Sequence, residues 1–307
     1  MLSSIFGRNP KIGLALGGGG ARGLAHIGVL KVLEAAGLKP DVVVGTSMGA
    51  IMGALYVHLR DALKMEQVVL KQLQHPKLQR LGMDQFTRGR SRHFLERNLK
   101  QAITNLTKLY LVTTALTRDH IIAAEQVKDL LSLLLPTIQI SDLPLPFATV
   151  ATDLLAGKPY VFYEGPLLTA VQASAAIPGV FEPVRYAGRQ LVDGAMVALV
   201  PVYEAFTLGA DFVLAVDVSP LPPVDKPLRT GIEIFLRADM IGNATLRDVH
   251  LQKADAVIRV QDLNAEWHEF GKAGAIIAAG QASAEHNLPL IRAALRARLP
   301  WWRKIIG

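Results

Sequence analysis

Along this chain short apolar runs alternate with longer stretches in which apolar and polar residues mix. The runs at 12–16, 41–44, 147–152, 159–163, 189–192, 212–216 and 256–260 read as strands. Between them, 21–36, 47–59, 167–174, the stretch beginning at Val202 and the C-terminal region read as helices, as does most of 60–135. The proline cluster at 220–227 follows a strand-like run and reads as a loop. Strands that alternate with helices predict an α/β protein with a mostly parallel central sheet covered on both faces. No internal repeat or low-complexity linker divides the chain. The pattern therefore predicts an N-terminal extension at 1–10, one domain at 11–298 with a helical insertion after the 47–59 helix, and a short tail at 299–307.

One stretch imitates a membrane span. Residues 42–59 carry no formal charge and place Gly45, Gly49 and Gly53 at four-residue spacing, as in a membrane-helix dimer motif. It divides instead into a β-branched strand and a helix opening at Thr46–Ser47, neither long enough to span. Small residues at that spacing also let a helix lie close to a sheet.

Composition narrows the chemistry. With 307 residues, half of them hydrophobic and 19% charged, the chain can bury a large core. It has no cysteine, which removes disulfides, thiolate metal sites and a cysteine nucleophile together. The first ten residues lack the basic and apolar regions of a secretory signal, so the expected location is the cytoplasm. The net charge of +7 sits unevenly: 60–108 holds eleven Lys/Arg against four Asp/Glu, 11 − 4 = +7. Such an excess meets nucleic acid, meets an anionic membrane, or is merely a solvated helical face. With only Phe86 and Phe94 as aromatics there and no nucleic-acid motif, nucleic acid is set aside.

Two glycine motifs stand at strand-to-helix junctions. The first, LGGGGARG at 16–23, offers backbone N–H groups that can converge on an anion beside a helix N-terminus. Gly18, Gly20 and Gly23 also satisfy a dinucleotide fingerprint, which expects an acid near the end of the second strand. Asp41 stands at its start instead. Arg22 can steady the loop or meet a phosphate. The second motif, GTSMG at 45–49, matches a pattern expected by chance about once in ten chains of this size. Its context, a β-branched run before and a helix after, is what a nucleophile elbow requires, and it would lift Ser47 to the mouth of the sheet. A plain N-cap role for Ser47 is the alternative. A serine nucleophile needs a base. In a Ser-His-Asp enzyme with α/β-hydrolase chain order the histidine follows the acid, which leaves His250, His268 and His286, with His268 best placed after the last strand. The other candidate base is Asp193 in LVDGA at 191–195, although Asp-Gly after a short strand is also a common turn.

GGGGARGLAHIGVL, GTSMGA, ATDLLAGKP, ASAAIPGVFEPV and LVDGA, in that order, resemble the patatin-like phospholipase family from about Lys11 to Val216. The resemblance implies a three-layer αβα fold and a Ser–Asp dyad that uses no histidine. It carries the nucleophile onto Ser47, the general base onto Asp193 and the oxyanion donors onto the amides of Gly18, Gly19 and Gly20. Arg22, Gly23, Gly45, Gly49 and Gly194 support these motifs. Neither metal nor cofactor is implied. Leu199 departs from the pattern, where many relatives carry Asn, which touches how the Asp193 loop is braced. Asp153 and Asp217, at strand ends, read as structural. The expected activity is hydrolysis of phospholipid or lysophospholipid esters. Thioester hydrolysis or acyl transfer by the same dyad, a histidine-dependent esterase and a non-enzymatic scaffold are the alternatives. Trp301 and Trp302, between Arg298 and Arg303–Lys304, together with the basic segment read as a peripheral contact with anionic membrane.

Overall fold

The computed structural model describes residues 9–77, 120–219, 224, 227–260, 263 and 265–299. The larger part of the basic segment and both tail tryptophans lie outside them.

Five short strands form the parallel heart of the sheet, in the order β8 (Ala256–Arg259), β7 (Phe212–Asp217), β1 (Ile12–Leu16), β2 (Val42–Thr46), β3 (Phe147–Asp153). Their near-continuous apolar composition is what burial on both faces demands. Alternate side chains go to opposite layers. Leu14, Leu16, Val43, Leu214 and Val216 join one core, and Ala15, Val42, Val44, Val213 and Ala215 join the other. The first core is covered by α1 (Ala25–Ala35), α2 (Met48–Leu59), α3 (Ala62–Leu73), α4 (Ala124–Leu131), α5 (Leu167–Ser174) and α9 (Ala273–Arg298). The second is covered by α6 (Ala195–Ala198), α7 (Val202–Thr207) and the end of α8 (Gly231–Leu251). Three layers result, as expected. The uncharged 42–59 stretch is β2 followed by α2, a helix buried along nearly its whole length. No helix among the described residues is long and apolar enough to cross a membrane.

The sheet is mixed, less uniformly parallel than the sequence pattern suggests. β4 (Lys158–Phe162), β5 (Val184–Tyr186) and β6 (Arg189–Asp193) add three antiparallel pairings beside the four parallel ones. Their registers matter for everything that follows. β4 pairs with 149–153 of β3, so it must own one edge of that strand. β2 pairs with 147–150 and β6 with 151–153, so these two share the opposite edge end to end. β2 arrives parallel and stops with Thr46 beside Val150; β6 arrives antiparallel and stops with Asp193 beside Ala151. Two strands distant in sequence thus run head-on into each other. Their tips meet at Ser47 and Asp193.

Three differences from the sequence reading are local. The 21–36 helix begins as a 3-10 turn, Gly20–Leu24, before α1, because the glycine loop must first turn. β5, of three residues, and α8 were not anticipated. α1 and α9 cross with backbones touching: a Cβ on Gly28 would lie 2.0 Å from the Ile277 carbonyl oxygen, and one on Gly280 2.0 Å from that of Ala25.

Candidate active site

Ser47 follows the last residue of β2 and precedes α2, with φ 54° and ψ −124°, a region that a side-chain-bearing residue enters only when its surroundings hold it there. The flanking glycines make the turn possible by close approach. A Cβ on Gly45 would sit 2.3 Å from the Gly49 carbonyl, and one on Gly49 2.1 Å from the Leu16 carbonyl. The strained backbone is held from above by Ser174, the last residue of α5, whose Oγ accepts the Ser47 N–H at 3.0 Å. Ser47 caps no amide of its helix through its side chain. Its Oγ donates instead to Asp193 Oδ2 at 2.6 Å.

Asp193 is buried and its second oxygen, Oδ1, accepts the Ala195 N–H at 2.8 Å. Burial pushes its carboxyl up to about 6, against the opposing pull of the bonds from Ser47 and Ala195. The backbone around it is tied on every side. Its N–H donates to the Ala176 carbonyl at 2.8 Å, its own carbonyl accepts the Thr152 hydroxyl at 2.8 Å, and the Gly194 N–H donates to the Ser174 carbonyl at 3.3 Å. A Cβ on Gly194 would lie 2.2 Å from the Val150 carbonyl. The absent Asn at Leu199 leaves no gap in this bracing. The Ala198 carbonyl accepts the Thr46 hydroxyl at 2.8 Å, and the Leu199 carbonyl accepts the Gly18 N–H at 3.0 Å.

That last bond corrects one expectation. The Gly18 amide is already engaged, so it is not available as an oxyanion donor in this arrangement. The amides of Gly19 and Gly20 have no hydrogen-bond acceptor among the described residues. Gly18 nevertheless lines the site, since a Cβ there would stand 3.1 Å from Ser47 Cβ. The loop is fixed from behind. Gly17 N–H donates to the Val216 carbonyl at 3.0 Å, Ser219 Oγ donates to the Gly18 carbonyl at 2.5 Å, and Ala21 N–H donates to the Trp267 carbonyl at 2.6 Å. Gly20 has φ +58°, and a Cβ there would meet the Trp267 carbonyl at 2.3 Å. Arg22 steadies the loop rather than waiting for a phosphate: its Nε donates to the Ala265 carbonyl at 2.8 Å and its Nη2 lies 3.7 Å from Glu266. Gly23 admits Met48, whose Cγ would be 2.2 Å from a Cβ.

Two contributors were passed over in the sequence. Ser174 accepts the Ser47 N–H through its hydroxyl and, through its carbonyl, the N–H of Gly194, the residue after Asp193. His26 is fully buried behind the loop, where its Nε2–H donates to the Gly17 carbonyl at 2.8 Å. Burial lowers its imidazole to about 4, so it is a neutral donor. Among the described residues no other histidine enters the pair. Neither carboxylate oxygen of Asp193 nor Ser47 Oγ is bonded to an imidazole. His268 stacks edge-on with Trp267, His250 lies edge-on to Tyr203, and His286 is exposed on α9. Asp153 pairs with Arg189 at 2.7 Å, and Asp217 with Arg247 at 3.4 Å.

The sequence of residues 14–206, most of the chain, matches the profile of the Patatin-like phospholipase family. The chain belongs to the patatin-like phospholipase family. Within it, the chain is 33% identical over 211 residues to an uncharacterized NTE family protein of Mycobacterium tuberculosis, covering 69% of this chain and 50% of that one. It is 34% identical over 211 residues to human patatin-like phospholipase domain-containing protein 6, covering 67% of this chain and 13% of that protein. It is 31% identical over 207 residues to lysophospholipase nte1 of Aspergillus fumigatus, covering 67% and 12%. The chain therefore spans half, or far less, of the length of these relatives. Among solved structures, VipD from Legionella pneumophila superposes with a TM-score of 0.41 at 16% identity, covering 94% of this chain and 68% of that one. The type III effector ExoU gives 0.38 at 16% identity, covering 92% and 53%.

Proposed function

We propose that the protein hydrolyses carboxylic ester bonds of phospholipids or lysophospholipids through an acyl-enzyme on Ser47, with Asp193 as general base. The 2.6 Å bond from Ser47 Oγ to Asp193, in a backbone turn that nothing but the surrounding bonds sustains, is the observation that carries this reading. The lipid part of it rests on the family and on the likeness to a fungal lysophospholipase.

The chemistry follows from the geometry. As Ser47 Oγ attacks the ester carbonyl carbon, its proton passes to Asp193 Oδ2. The negative oxygen that develops is met by the Gly19 and Gly20 amides, each donor worth about 2.7–4 kcal/mol by analogy with another serine hydrolase. Collapse of the tetrahedral species breaks the bond to the alcohol, which leaves with the proton from Asp193. Water then attacks the acyl-Ser47 carbonyl and gives its proton to Asp193. A second collapse releases the fatty acid and returns that proton to Ser47 Oγ.

A fluorophosphonate probe tests the assignment: it should label Ser47, and Ser47→Ala should lose both labelling and esterase turnover. His268→Ala should stay within several-fold of wild type while Asp193→Asn loses nearly all turnover. Labelling of another serine, or equal losses in the two base variants, would overturn the dyad.

A further inference from the structure

Half of the exposed large hydrophobic side chains among the described residues lie on α8. Among its described side chains, the buried ones lie towards its C-terminal end. There Ala244, Arg247 and Leu251 are buried on one side, and the helix rests against α6, the segment that follows Asp193. Arg247 fixes its height. Its guanidinium pairs with Asp217 at the C-terminal tip of β7 and donates to the Ser219 carbonyl, while Ser219 Oγ holds the Gly18 carbonyl. Arg247 therefore stands level with the sheet edge that carries Ser47. Sixteen residues of α8 precede it, about 24 Å of helix.

Most of those residues stand exposed. From Gly231 to Gly242, Arg237 is the one described side chain that is even half-buried. Yet they include Ile234, Phe235, Leu236, Met240 and Ile241, exposed by 46–67%. Farther along, Leu246 and Val249 are exposed as well, on the side away from the buried anchors. With 3.6 residues per turn, Ile234, Ala238, Ile241, Thr245 and Val249 form an outward stripe free of charge, flanked by Phe235 and Leu246. Leu236 and Met240 lie outside that stripe, so apolar surface continues round the helix. The capping box of Thr230 and Glu233 shows that the segment is built to begin as a helix even though it is unsupported.

A protein partner would cover one face and leave the others wet. A helix apolar on several faces and standing at the edge of a lipid-ester site fits the acyl layer of the substrate itself. We infer that the N-terminal half of α8 inserts into the surface of a lipid aggregate beside the candidate active site. This rests on the lipid-hydrolase reading for its choice of occupant. Charge settles which lipid surface. Residues 231–242 carry Glu233 and Asp239 against Arg237, so they are not drawn to anionic headgroups. The surface recognised is zwitterionic, and contact is by apolar insertion.

The test separates docking from catalysis by using Ser47→Ala protein, which binds without hydrolysing. It should sediment with phosphatidylcholine vesicles, and high salt should not release it. Adding Ile234→Ser, Phe235→Ser and Ile241→Ser should lower vesicle-bound protein at least tenfold. In the protein with Ser47 intact, the same three changes should cut turnover of vesicle-embedded lipid by a similar factor and leave a soluble short-chain ester unaffected. The chain has no cysteine, so Phe235→Cys gives a single attachment point for a polarity-sensitive dye. Its emission should shift to the blue on adding phosphatidylcholine vesicles, which tests the idea without the triple variant. Equal vesicle binding by triple variant and parent, or a dye that stays in water, overturns the proposal. So does a dimer that the triple variant dissociates, because the face would then belong to a second copy. Absence of ester turnover in the unsubstituted protein, with vesicle binding present, would count against the lipid-hydrolase reading and leave the docking surface standing.

Discussion

In the proposed mechanism Asp193 accepts a proton while buried, and that role imposes a pH dependence of its own. With its carboxyl at about 6, turnover of a soluble ester should fall about tenfold per pH unit below 6 and level off above it. A pH–rate profile flat down to pH 4.5 would contradict that role. The same shift acts on stability. The folded carboxyl titrates near 6 and the unfolded one near 3.8, so the folded state binds the extra proton between those values. Stability is highest below the lower value and is lost as pH rises through the upper one, by an amount on the order of 2–3 kcal/mol. Asp193→Asn, which carries no charge to bury, should therefore melt above wild type at pH 8, with the gap closing towards pH 4. A second prediction concerns Ser174. Ser174→Ala leaves the Ser47 N–H buried without an acceptor, a loss of about 1–3 kcal/mol. It should lower kcat for a soluble ester about tenfold or more with little change in KM. It should also raise the apparent pKa of the acid limb, because a displaced Ser47 no longer holds the Asp193 charge. A purely structural role would leave that pKa in place. At this scale Ser47 and Asp193 were visible in sequence because elbow and Asp-Gly turn are local patterns. Ser174, His26 and the engagement of Gly18 were not, since each acts through a bond whose partner no spacing announces.

Elements were legible in proportion to how strongly their own residues dictated them. β1, β2, β3 and β7 are apolar runs with nowhere to go but inside, and α2 follows a recognisable elbow. β5 is too short to leave a pattern. α8 leaves little pattern because its apolar residues do not form a stripe towards the core, although Thr230 and Glu233 mark its start with a capping signature. The crossing of α1 and α9 supplies the test at this level. Gly28 and Gly280 let the two backbones touch, and each would drive a Cβ into a carbonyl 2.0 Å away. Gly280→Ala should cost about 1–3 kcal/mol, read as a lower thermal midpoint. Gly242→Ala, on exposed α8 with nothing within 4 Å, should be neutral or stabilise by up to about 1 kcal/mol. If both substitutions behave alike, the close helix crossing does not exist as described.

At the scale of the molecule, the site exists because β2 and β6 meet end to end along β3, joining residues 146 positions apart. The order of motifs foretold that they belong together, but only strand register shows how. The distribution of charge leads to a prediction of the same scale. The +7 resides in 60–108, and the tail adds Arg303 and Lys304 beside Trp301 and Trp302. α8 contributes none of it. Two membrane contacts of different physics should therefore be separable in one protein. Binding to phosphatidylcholine vesicles through α8 should ignore salt. Adding anionic lipid should strengthen binding by an increment that salt removes, about 1 kcal/mol for each basic residue near the surface. Replacing Arg303 and Lys304 with Gln should then weaken binding to anionic vesicles about thirtyfold at low salt. It should leave binding to phosphatidylcholine unchanged, whereas the α8 substitutions lower both. Should the tail substitutions also abolish phosphatidylcholine binding, a single contact governs the whole molecule. Should they change neither, the tail charges are merely solvated, and any increment from anionic lipid belongs to 60–108.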